Sequence, residues 1–70
     1  MRDVEIRDES IRLGQLLKLA NLAEDGVDAK ELLEAEVVLV NDAVETRRGR
    51  QLVPGDRVSA EGEAVRVVNG

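Results

Sequence analysis

The sequence predicts an α+β fold in which two short helices pack on a small, mainly antiparallel β-sheet. Three observations carry that expectation. Seven of the nine leucines precede residue 37, whereas nine of the eleven valines lie at or after it. Unbranched leucine suits helices and β-branched valine suits strands, so helices are expected first and sheet second. The apolar period also shortens at that point, from a helical spacing to an alternating one. The two kinds of segment are segregated rather than interleaved, which favours α+β over repeated βαβ units.

Val4 and Ile6 alternate with charged neighbours, the pattern of a short edge strand. A helix is expected over residues 13–21. At about 100° per residue, Leu13, Leu16, Leu17 and Ala20 share one face, and Arg12, Gln15 and Lys18 form a row on the other. Asp25 and Gly26 break the pattern, and Asp25 or Asp28 is placed to cap a second helix over residues 27–35. That helix buries Ala29, Leu32 and Leu33. Lys30 sits at the margin of the buried face, while Asp28, Glu31 and Glu34 point to water, away from Lys30's flank.

From Val37 the chain reads as strand. Val38 and Val40 face one side, Asn41-Asp42 makes a tight turn, and a return strand runs through Val44, Glu45 and Thr46. Arg47-Arg48-Gly49-Arg50 has no apolar period and reads as an exposed loop. Pro54-Gly55-Asp56 is a strong turn signal. Two last strands are expected over residues 57–60 and 64–68, joined at Glu61-Gly62-Glu63.

Length and composition bound the function. Seventy residues suit one domain, 1–70, which buries only about 60% of the surface its unfolded chain exposes. Hydrophobic residues make up 43% of the chain, too many for a disordered tail, and none is aromatic, so Leu, Val, Ile and Ala must fill the core. The first ten residues lack the apolar run of a signal peptide, and Val37 to Val40 is too short to cross a bilayer. A soluble, cytoplasmic protein without disulfides or a membrane association is expected, and a monomer, since no long apolar surface stripe is present.

The inventory for catalysis is poor. There is no His or Cys, and Ser10, Thr46 and Ser59 are the only hydroxyls, so a nucleophile would lack its usual base. The carboxylate pairs Asp25/Asp28 and Glu61/Glu63 read as a solvated helix start and a polar turn rather than a cation site. No glycine-rich phosphate cradle is present. The expectation is a non-enzyme with no cofactor, no metal and no small-molecule substrate.

Charge is distributed unevenly. The net charge is −5, and residues 24–36 hold six acids against the single base Lys30. Residues 10–23 carry Arg12 and Lys18 with no acid, and residues 46–55 carry Arg47, Arg48 and Arg50 with no acid. Guanidinium groups grip phosphate through forked hydrogen bonds, so the arginine cluster is the most informative stretch of the chain.

Taken in order, I-R-L-G-Q-L-L-K-L-A from Ile11, D-G-V-D-A-K-E-L-L from Asp25, V-V-L-V-N from Val37 and V-E-T-R-R-G-R-Q-L-V-P-G-D from Val44 resemble the S4-type RNA-binding domain. The nearest likeness is to its small free-standing bacterial branch, and the resemblance covers residues 11–58. It implies two helices against a small sheet, with helical side chains and a sheet loop contacting structured RNA, ribosomal or transfer RNA being the expected class and the ribosome a candidate partner. Carried over position by position, it implies RNA-binding roles for Lys18, Lys30, Arg47, Arg48 and Arg50. Gln15 and Arg12, on the same row as Lys18, are secondary candidates. Asn41 matches the family's V-N turn, with a role in shaping the hairpin. The chain departs from the family pattern at Glu36 and Asp42, where glycine is usual and a left-handed backbone is expected. With Glu31 and Glu34 turned away from Lys30's flank, an acidic back and a basic front are expected. The alternative is a protein or ribonucleoprotein docking module of RNA-binding descent, which the acidic second helix would serve.

Overall fold

The computed structural model describes the whole chain, Met1–Gly70. In chain order the elements are β1 (Arg2–Ile6), β2 (Ile11–Arg12), α1 (Leu13–Leu19), α2 (Gly26–Glu34), β3 (Val38–Val40), β4 (Ala43–Val44), β5 (Gln51–Leu52), β6 (Arg57–Ala60) and β7 (Glu63–Asn69). Five strands form one sheet in the order β1-β7-β6-β3-β4, and β2 pairs with β5 in a separate two-stranded ladder. All pairings are antiparallel except β1 with β7, which run parallel with Val4 opposite Val67. The expected α+β architecture is the one observed.

Strand alternation decides which face is covered. Val4, Ile6, Val38, Val40, Val58, Ala60, Val65 and Val67 are buried, while their neighbours in sequence are mostly exposed or half-buried. These residues join Leu13, Leu16, Leu17, Leu32 and Leu33 of the helices in one apolar cluster, so both helices cover the same side of the sheet. β1 lies at the sheet's edge, as its alternating pattern predicts. The Arg2 guanidinium donates to the Ala20 carbonyl, tying that edge to the end of α1. No helix is long and apolar enough to cross a membrane.

The helix ends explain why both helices stop short of the expected boundaries. Asn21 and Glu36 each take φ +59°. The amides that follow reach back in the Schellman pattern, Leu22 N–H to Leu17 O at 2.9 Å and Val37 N–H to Leu32 O at 3.5 Å. Glu36 thus adopts the left-handed stop without the glycine usual there. At the start of α2, the Asp25 carboxylate accepts the Asp28 N–H at 2.8 Å, and Asp28 accepts the Glu24 N–H at 2.9 Å. The acid pair is a reciprocal helix cap.

The β3–β4 turn places Asn41 at φ +51° and Asp42 at φ +71°, the paired left-handed geometry of a tight hairpin. Asn41 also knits this turn to the next. Its side-chain oxygen accepts the Arg57 N–H at 3.0 Å, and its Nδ2 donates to Asp56 at 3.1 Å. The shaping role expected of Asn41 is therefore visible in its hydrogen bonds.

The return strand is shorter than expected. β4 ends at Val44, because the Glu45 side chain folds back to accept the backbone N–H groups of Thr46 and Arg47, each at 3.0 Å. The β2–β5 ladder, in which Ile11 pairs with Leu52 and Arg12 with Gln51, was not expected from the sequence. It anchors the arginine loop beside the start of α1.

Candidate nucleic-acid interface

The arginine loop supplies the cap that α1 lacks. Arg12, at the N-cap, makes no side-chain capping bond. Instead Leu13 N–H donates to Arg50 O at 2.8 Å, and Gly14 N–H donates to Arg48 O at 3.0 Å. Two of the orphan amides at the helix start are thereby satisfied by the loop's own backbone. The close approach needs glycine: a Cβ at residue 14 would lie 2.5 Å from Arg48 Cγ. The Arg48 stem therefore rests directly on the helix.

This docking gathers Arg12, Gln15, Lys18, Arg48 and Gly49 around one open groove of about 350 Å³, with Gly26 and Ala29 of α2 on its far side. A second hollow of about 300 Å³ is lined by Lys30, Leu33, Glu34, Thr46 and Arg48. Arg48 lines both. The two basic segments of the sequence thus meet in space, and Lys30 joins them across Arg48.

Arg47 and Arg50 are placed differently. Both turn to Glu45, whose side chain is only 8% exposed. Arg47 donates through Nε to Glu45 Oε2 at 3.1 Å and through a terminal nitrogen to Oε1 at 3.2 Å. Arg50 donates to Oε1 at 3.0 Å. With the two backbone amides, one carboxylate accepts five hydrogen bonds. The Arg47 side chain is still 75% exposed, whereas that of Arg50 is half-buried at 32%. The Arg47 hydrogen bonds above all, then Arg50, hold the Glu45 carboxyl down at about 2, and the same pairing raises Arg47 above its ordinary value.

Lys30 requires a correction. Glu34 does not point away from it but lies one helical turn on, with Lys30 Nζ 3.8 Å from Glu34 Oε1. Residues four apart share a flank of a helix, which the wheel reading overlooked. Both side chains are about two-thirds exposed, 66% and 67%, so the pair is solvated and weak.

Sequence reasoning missed Glu45 and Gly14. The acid-free stretch begins at residue 46, one position after the carboxylate that binds two of its three arginines. Gly14 carried no signal, since a glycine in the first turn of a helix has no period of its own.

Comparison with known proteins agrees with this architecture. The family model described as S4 domain matches residues 4–68. The chain is 49% identical over 59 residues to the "Probable ribosome maturation protein RlbA" of Bacillus subtilis, covering 84% of this chain and 83% of that one. It is 41% identical over 58 residues to the "Putative RNA-binding protein YbcJ" of Escherichia coli, covering 83% of each. A family match over nearly the whole chain, with relatives of this identity and near-equal length, places it: the chain belongs to the S4 domain family.

Proposed function

We propose that this protein binds structured RNA without catalysing a reaction on it, gripping the phosphate backbone through the groove between α1 and the arginine loop. The observation that carries this is the convergence of Arg12, Gln15, Lys18 and Arg48 on one open groove in a chain that is acidic overall. Local cation density, not net charge, sets phosphate affinity at short range, because solvent-exposed charges beyond about 8–10 Å are screened by salt. The chain has no aromatic residue, so it has no platform on which to stack unpaired bases. Shape and phosphate spacing are left as the means of recognition. The family and the relatives' names support an RNA partner, and one of those names makes ribosomal RNA the first class to test.

The test is binding of the purified protein to total bacterial RNA across a salt series, beside an Arg12→Glu, Lys18→Glu, Arg48→Glu variant checked for folding. Four exposed cations, Arg12, Lys18, Lys30 and Arg48, give an expected log–log salt slope of roughly −3 to −4. Loss of binding in the folded variant supports the reading. No binding by the unaltered protein at low salt refutes it and turns attention to a protein or ribonucleoprotein partner, for which the exposed acids of α2 are the candidate surface; Glu31→Lys and Glu34→Lys changes would then abolish capture.

A further inference from the structure

We infer that Arg48 is the shared cation of two adjacent phosphate seats, one with Lys18 and Arg12, the other with Lys30 and Thr46. This rests on the RNA-binding reading and divides the labour among the three loop arginines. Arg48 lines both hollows, and no other side chain does. Arg47 and Arg50 hold Glu45, so neither guanidinium is wholly available to a ligand, while Arg48 makes no ion pair or side-chain hydrogen bond within the protein.

The aim of Arg48 is built in. Its carbonyl accepts the Gly14 N–H, and its stem lies where a side chain at residue 14 would otherwise sit. Glu45 fixes the loop on the other side, through the amides of Thr46 and Arg47 and the guanidinium of Arg50. Glu45 and Arg50 are thus positioning residues, and Arg48 is the residue positioned. A planar guanidinium with five N–H donors can serve two phosphates at once, which a lysine ammonium at the same place does less well. In the second seat Lys30 gives up little to reach a phosphate, because its pairing with Glu34 is solvated. The Thr46 hydroxyl adds a neutral donor beside it.

Two seats sharing one wall predict a pattern of coupling that three independent cations would not give. The experiment is a set of double-mutant cycles on the full chain, with Lys18→Gln, Lys30→Gln and Arg48→Gln, singly and in pairs. The readout is Kd for a short fluorescein-labelled RNA hairpin. Arg48→Gln is expected to weaken binding by about tenfold and to reduce the salt slope by about one. Lys18 and Lys30 should each couple to Arg48 by about threefold or more, and should combine independently with each other. Arg48→Lys, which keeps the charge and the stem, should restore the slope but not the coupling to both lysines. Arg50→Gln should lower thermal stability and leave the salt slope unchanged. If Arg48 couples to only one lysine, or if Arg50→Gln lowers the slope as Arg48→Gln does, the shared-seat arrangement is wrong although RNA binding stands. If the unaltered protein does not bind the hairpin at low salt, the RNA-binding reading and this inference fall together.

Discussion

Replacing Glu45 by glutamine keeps the size of the side chain and removes its charge, so it isolates what the buried carboxylate contributes. Glutamine has one acceptor oxygen where glutamate has two. If that oxygen keeps the amides of Thr46 and Arg47, the NH₂ group faces the guanidiniums of Arg47 and Arg50, donor against donor. If it flips, the two backbone amides lose their acceptor instead. Hydrogen bonds to charged groups contribute about 1.5–3 kcal/mol each, but Arg47 is 75% exposed and regains water when released. Arg50, at 32% exposed, regains less. The net loss worked from these partners is about 2 kcal/mol, which for a domain of this size lowers Tm by about 8–16 °C. Thermal and urea unfolding of the two proteins, followed by circular dichroism, measure it. A loss below about 0.5 kcal/mol, the range of a surface ion pair, would refute the claim that Glu45 organises the loop.

Other predictions follow from the same contacts. Because the folded carboxyl of Glu45 is held at about 2, below its ordinary 4.5, its stabilisation is fully present above that ordinary value and is lost as pH falls toward 2. The stability difference between the unaltered protein and Glu45→Gln should therefore shrink across that window; a difference independent of pH would contradict the assignment. Gly14→Ala improves helix propensity but displaces the Arg48 stem, so RNA affinity should fall several-fold while Tm changes by only a few degrees; unchanged affinity would show that Arg48 needs no such seat. Glu36→Gly relieves a left-handed φ of +59° and should raise stability by about 0.5–1 kcal/mol, read as a higher urea midpoint; a lower midpoint would mean that the side chain contributes more than the backbone conformation costs.

Much of the fold was legible because its longer elements carry their own period. Leu13, Leu16 and Leu17 announce α1, and the alternating valines of β3, β6 and β7 announce the sheet, each within a window short enough to read. The β2–β5 ladder was illegible because two residues per strand have no period, and its pairing joins positions 41 residues apart (Ile11 with Leu52). The helix boundaries were off by one or two residues because Asn21 and Glu36 end the helices by backbone conformation, which their side chains do not advertise. In the site, the row Arg12, Gln15 and Lys18 follows from helical geometry, and its meeting with Arg48 required the family resemblance. What lay beyond both was the pairing of Arg47 and Arg50 with Glu45. A count of charges treats every arginine as available, and only the position of the Glu45 carboxylate distinguishes those that are held from the one that is not.

The most direct test of the basic groove as the RNA surface is amide chemical-shift mapping of the ¹⁵N-labelled protein titrated with bacterial ribosomal RNA fragments. The account predicts shifts concentrated at Gln15, Lys18, Lys30, Arg48 and Gly49, with little change at Arg57, Ala64 and Arg66 on the opposite face of the sheet. Shifts centred on that sheet face, or on the acidic turn from Glu24 to Asp28, with Lys18 and Gly49 undisturbed, would contradict it.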